Sequence, residues 1–250
     1  MRLSVNTSEK LYPDLIEKGG LVLALQSAFV EIKSPVEVKE HNLDLPFGGF
    51  PVYARVESNN RFSQVYIGSE QRMFSFDFWR NGVALGNGYT SSLIELAHVL
   101  HEWIETEINL TELSKKFPFV TTDEKAEYFE QGREVEWKWQ ECQRYIPKSF
   151  PELVPFLNEA SRNPVLRQLF PFTSMSYFCF SRCTGYPYSN DCPSVHPSEN
   201  NLYKVFDFRN KLIGEVNASE AVELVVSHLP VNSGLAKQGT AEDLEKAVFK

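Results

Sequence analysis

Between residues 52 and 85 the chain runs in short, aromatic-rich stretches of alternating apolar and polar side chains, and the dipeptide Asn81-Gly82 interrupts them. Asn-Gly tolerates the positive φ that a tight hairpin requires. Residues 73–79 and 83–85 therefore read as two antiparallel strands joined at Arg80-Asn81-Gly82, with further strands at 52–57 and 62–67. After Asn87-Gly88-Tyr89, Thr90 or Ser91 can cap a helix. In it, Leu93, Leu96, Ala97, Leu100, Trp103 and Ile104 recur at helical spacing, leaving Glu95, His98, Glu102 and Glu105 toward the flanks or solvent. A half-apolar sheet followed by a half-apolar helix buries both faces by stacking one on the other, which is an α+β arrangement.

The remainder of the chain follows the same grammar. Residues 12–29 read as a helix, and 111–146 as a charged helical stretch in which Trp137 and Trp139 are set among Glu and Lys. Pro147, Pro151 and Pro155 mark a change of direction before helices at 152–159 and 164–169. Strands are expected at 177–180, 203–208 and 211–216, with Ser219 capping a helix through His228. There is an internal echo. Phe76-Asp77-Phe78, Arg80-Asn81 and Gly86 match Phe206-Asp207-Phe208, Arg209-Asn210 and Gly214, each set preceding a capped amphipathic helix, while Phe117-Pro118-Phe119 and Phe170-Pro171-Phe172 echo in different places. The expected fold is α+β: two similar lobes, each a small antiparallel sheet with helices packed on one face. The corresponding domains are an N-terminal lobe at 1–110, a charged helical connector at 111–150 and a C-terminal lobe at 151–250.

Charge narrows the range of partners. With 25 Lys and Arg against 33 Asp and Glu, the net charge of -8 repels phosphate backbones and anionic lipid. The basic residues are scattered, so neither nucleic acid nor a membrane is expected as a partner. The opening residues, Met1 to Thr7, lack the apolar core of a signal peptide, and the longest apolar run, 21–30, is broken by Gln26 and Ser27. A cytoplasmic location is expected, with Cys142, Cys179, Cys183 and Cys192 reduced.

The combinations that suggest chemistry fail on spacing. Cys179, Cys183, Cys192 and His196 are zinc-type ligands, but along a strand the first two stand about 13 Å apart, too far to share an ion. Glu95, His98, His101 and Glu102 resemble half of a di-metal site, yet no second Glu-x-x-His helix faces them. No Gly-x-Ser-x-Gly elbow occurs, and Cys183 or Cys192 with His196 and Asp191 are sequence neighbours, which is not how nucleophilic sets are usually built. Phe47-Gly48-Gly49-Phe50 lacks the Lys and third glycine of a phosphate loop and reads as a turn or contact loop. No catalytic residues, metal or cofactor are expected.

Aromatic loops give a more positive signal. Residues 184–193 are too rich in Gly, Pro, Asn and Ser for regular structure but carry two tyrosines, side chains that offer large contact area with a polar handle. The binding residues expected are Trp79, Arg80, Asn81, Arg182, Tyr186, Tyr188, Asn190 and Asp191. Acidity, aromatic loops and the lack of a catalytic set point to a non-catalytic protein-binding inhibitor, a bacterial immunity protein that occludes the active site of a basic toxin. The alternative is an enzyme or accessory protein of natural-product biosynthesis, for which Arg182, Asp191, His196 and Asp207 are the polar candidates.

The segments around Trp79-Arg80-Asn81-Gly82, Phe117-Pro118-Phe119-Val120, Leu169-Phe170-Pro171-Phe172-Thr173 and Cys183-Thr184-Gly185-Tyr186-Pro187-Tyr188 resemble an uncharacterised bacterial family. It is common in actinomycetes and sometimes labelled natural-product-biosynthesis protein. The resemblance runs from about Leu15 to Leu244 and implies a bacterial source and a shared fold, with no catalytic residues to transfer.

Overall fold

The computed structural model describes residues 10–39, 52–231 and 233–248. The chain divides into two compact units, one of Met1–Arg80 with Ala84–Glu127 and one of Asn81–Val83 with Tyr128–Lys250. Both are α+β, and each holds one antiparallel sheet whose strands follow one another in sequence order.

In the first unit, helices α1 (Pro13–Glu17) and α2 (Leu21–Glu31) precede strands β1 (Val38–Lys39), β2 (Tyr53–Ser58), β3 (Arg61–Ile67), β4 (Phe74–Arg80) and β5 (Val83–Thr90). Helices α3 (Leu93–Ile104) and α4 (Leu110–Lys116) then lead to the short strand β6 (Val120–Thr122), which closes a six-stranded meander. Period-two patterning explains the packing. Phe74, Phe76 and Phe78 of β4 are buried together with Ala54, Val56 and Val65, while Ser75, Asp77 and Trp79 alternate to the other face. Against the buried face lie Leu96, Leu100 and Trp103 of α3, with the Phe78 and Trp103 rings edge to face at 5.3 Å. Arg61 is buried too. Its guanidinium donates to the carbonyls of Trp103, Glu107 and Ile108 at 3.1, 2.8 and 2.8 Å, satisfying one acceptor in the last turn of α3 and two in the loop that follows it.

The expected single helix over 12–29 is two helices, because Gly19 and Gly20 take φ of 86° and 126° and end the first one. Residue 92 is the cap of α3 rather than Thr90 or Ser91: the Ser92 hydroxyl accepts from Glu95 N at 3.3 Å. The hairpin forms where expected, with Asn81 and Gly82 at φ 52° and 75°.

The stretch 111–150 is not one helical connector. Its first part belongs to the first unit and ends in β6, and the boundary between the units falls within α5 (Ala126–Glu130). Its second part is α6 (Glu134–Ser149), which joins the core of the second unit through Trp139, Cys142 and Ile146. After α7 (Val154–Arg162) come strands β7 (Phe170–Ser174), β8 (Tyr177–Ser181), β9 (Ser194–Pro197), β10 (Tyr203–Phe206) and β11 (Leu212–Val216), then helices α8 (Ala218–Ser227) and α9 (Ala241–Val248). The sheet runs β11-β10-β9-β8-β7. Phe178, Phe180, Val195, Tyr203 and Val205 line its buried face against Trp139, Phe156, Leu157, Ala221 and Val225.

Strands β7 and β9 went unread in the sequence. Pro171 sits in β7 because that strand is the sheet edge, where a missing N–H costs no ladder bond. The cap of α8 is Asn217, not Ser219, and forms a reciprocal capping box with Glu220. The internal echo is partial. Both hairpins lead into a capped helix and both turns place an Asn in the left-handed region (Asn81 φ 52°, Asn210 φ 60°). Asp77, however, lies within β4 and accepts from Gln64 N, whereas Asp207 lies beyond β10 and accepts from Arg209 N and Lys211 N.

Candidate functional site: the loop between β8 and β9

Strand β8 ends at Ser181, and the chain makes a long excursion before re-entering the sheet at Ser194. Two serine hydroxyls tie this loop to itself. Ser181 Oγ donates to the Cys183 carbonyl at 2.7 Å and accepts from the backbone N–H groups of Cys183 and Ser189 at 3.0 and 3.1 Å. Ser189 Oγ accepts from Arg182 N at 2.9 Å. Across the loop, Arg182 Nε donates to Asp191 Oδ2 at 2.8 Å, and the same oxygen accepts from Nη2. Burial alone would raise the Asp191 carboxyl, but hydrogen bonds from Arg182 and Ser189 and the Arg182 charge outweigh it, leaving the group below the ordinary carboxylate range.

Other parts of the second unit brace the loop through its backbone. Lys237 N donates to Arg182 O and Thr184 N to Lys237 O, at 2.9 and 3.0 Å; Gly185 N donates to Gly239 O and Ala241 N to Pro187 O, both at 2.8 Å. The turn Asn81–Val83 completes the frame. Tyr186 N donates to Gly82 O at 3.0 Å, and Asn81 Nδ2 reaches Gln238 Oε1 at 3.4 Å. Gln238 in turn donates to the buried carboxylate of Glu134 at the start of α6. The approach is so close that a Cβ on Gly185 would lie 1.7 Å from Asn81 O.

On this frame the two tyrosines diverge. Tyr188 turns back onto Phe172 and Phe170, with centroids 4.6 and 5.6 Å away, and burial holds its hydroxyl above the usual tyrosine range. Tyr186 leaves the surface, 70% exposed, in edge contact with Tyr188 at 5.9 Å. Asn190 is exposed as well.

Of the expected binding residues, Asn81, Arg182, Tyr186, Tyr188, Asn190 and Asp191 thus lie in the second unit, around this loop. Trp79 and Arg80 close β4 in the first unit, where Trp79 stacks on Phe62 at 5.2 Å and Arg55 lies over the other ring of that pair, 4.0 Å from the Phe62 centroid. The loop Phe47-Gly48-Gly49-Phe50 falls outside the described residues. Ser181, Ser189, Gly185 and Gln238 were missed in the sequence. A serine flanking a turn-rich loop is the one local signal that could have found the first two.

The polar residues of the enzymatic alternative hold different partners. His196 Nε2 is 2.9 Å from Ser176 Oγ, and the Asp207 carboxylate is engaged by its own turn. Burial pushes the Cys142 and Cys192 thiols up to about 12, Cys179 up to about 11 and Cys183 upward too. Thiols so raised are protonated near neutral pH and are poor nucleophiles. Among the described residues, no group of three or more His, Cys, Asp or Glu is placed to hold a metal ion, and no helix is long and apolar enough to cross a membrane.

Residues 133–240 match the model of a family of unknown function (DUF6193). The matched stretch lies within the second unit and contains the whole β8–β9 loop and the 237–240 segment that braces it. No curated protein and no solved structure matches the chain.

Proposed function

We propose that the protein is a non-catalytic, protein-binding inhibitor, an immunity protein that occludes the active site of a basic bacterial toxin, and that the β8–β9 loop carries the contact. The observation that supports this reading is an exposed tyrosine on a braced loop. Tyr186 offers its ring to solvent while its own N–H and those of Thr184 and Gly185 are fixed to neighbouring carbonyls. A large aromatic side chain on a preorganised backbone loses little conformational entropy when a partner covers it, and Tyr is among the residues that dominate binding energy at interfaces. Asn190 and the Arg182–Asp191 pair flank it with polar groups suited to an interface rim. The net charge of -8 supports rapid capture of a basic partner.

The test is binding and rescue. A toxin encoded beside the gene for this chain should bind the purified chain, and co-expression should protect cells poisoned by it. Tyr186→Ala should weaken binding by about 2 kcal/mol or more with the fold intact, as expected for a central aromatic anchor. Absence of binding to the adjacent product would rule the reading out.

A further inference from the structure

We propose that the outer face of the first unit's sheet binds an arginine side chain of a protein partner, with Asp77 as its counter-charge and the rings of Trp79 and Tyr66 as its flanks. Antiparallel register lays this face out in rows. Tyr53 pairs with Tyr66 and that with Ser75, while Glu57 pairs with Phe62 and that with Trp79. Between them Arg55 pairs with Gln64, and Gln64 N donates to the carboxylate of Asp77 at 2.7 Å, so Asp77 completes the middle row. A polar row thus runs between two aromatic ones. The rings of Tyr53 and Tyr66 are 5.1 Å apart on one side, and Phe62 and Trp79 stack at 5.2 Å on the other.

The charge on Asp77 identifies the occupant. Burial pushes its carboxyl above the ordinary 3.8, outweighing the hydrogen bond from Gln64, and among the described residues no cation forms an ion pair with it. A half-buried anion left without a partner is costly, so the face is arranged for a cation that these residues do not supply. Arg55, the cation whose charge Asp77 feels, stands two strands away and is committed elsewhere: Nε donates to Glu57 Oε2 at 2.7 Å, and the guanidinium lies 4.0 Å from the Phe62 centroid. Its pose shows what this face accommodates, a guanidinium flat on a ring and bonded to a carboxylate. A second guanidinium at Asp77 has Trp79 beside it along the strand, about 7 Å on at roughly 3.3 Å per residue, and Tyr66 on the diagonal of the next strand. Tyr66 is 44% exposed, so the place is open to solvent. The planar, weakly hydrated guanidinium stacks on rings while pairing with a carboxylate, which a compact ammonium does less well.

Titration of the isotope-labelled full chain with N-acetyl-arginine amide, followed by the indole N–H resonances in nuclear magnetic resonance, tests this; Trp79→Phe identifies the Trp79 signal. The expected result is a saturable shift of that signal with a Kd on the order of millimolar, the strength open to so small a ligand. The lysine counterpart should bind more weakly, and the neutral, nearly isosteric citrulline counterpart should have no effect. Asp77→Asn should abolish saturation without lowering Tm, because the amide oxygen still accepts from Gln64 N and an unpaired charge is removed. A shift that does not saturate, a citrulline or lysine response equal to that of arginine, or an undiminished response in Asp77→Asn overturns the proposal. Because the probe is a free amino-acid derivative, the outcome is independent of whether the β8–β9 loop binds a toxin.

Discussion

A hydroxyl with one proton and two lone pairs can make three hydrogen bonds, and Ser181, fully buried, makes that number within its own loop. The loop is therefore sensitive to single atoms. Gly185→Ala would force a methyl group onto Asn81 O and should cost about 3 kcal/mol or more, read as a fall in the urea midpoint. The Arg182–Asp191 pair makes a prediction about pH. The folded Asp191 carboxyl titrates below its ordinary 3.8, so its stabilisation is present above that value and is lost as pH falls through the folded value. Asp191→Asn should lower stability by about 1–2 kcal/mol near neutral pH, because it leaves Arg182 without its charged partner. The gap in Tm between wild type and variant should narrow as pH falls from about 4 through the lower folded value, where the wild-type carboxylate becomes protonated in its turn. A gap that stayed constant down to acid would mean that the ion pair does not carry it. Arg182 and Asp191 could be named as polar residues of one loop from the sequence, but that they face each other could not, because the intervening residues have no regular repeat.

At the scale of elements, patterning was a good guide where one face is buried and one wet. Strands β2, β3 and β4 fall within a residue of their expected limits, since alternation along a half-buried strand leaves no other register. It was a poor guide at helix starts, where several Ser, Thr and Asn residues compete and backbone geometry picks one. Asn217 caps α8 with Glu220 as its reciprocal partner, while Ser219 lies inside the helix. Asn217→Ala should therefore cost about 1 kcal/mol in chemical denaturation, and Ser219→Ala should be close to neutral. Equal costs would contradict the capping box. Strand β7 was hidden by Pro171, which marks a turn more often than a strand unless the strand is an edge, and edge status belongs to the sheet rather than to the segment.

For the molecule as a whole, the excess of 33 acidic over 25 basic residues acts at long range, where individual contacts do not. If the partner is basic, its association rate with this chain should drop steeply as salt rises, while dissociation changes little, because screening removes steering before it affects close contacts. Stopped-flow association at several ionic strengths checks this, and a salt-independent on-rate would argue for a neutral or acidic partner. The sequence by itself determined the α+β class, the presence of two sheets fed by hairpins and the loop in which the exposed tyrosine lies, because periodicity and turn chemistry are local. Only the tertiary structure decided that 111–150 is shared between two units, that Tyr188 folds inward while Tyr186 does not, and that residues 81–83 and 237–241 brace the loop between them. Those outcomes depend on contacts between residues up to 157 positions apart, and the free energy of such contacts exists only once the chain has closed on itself.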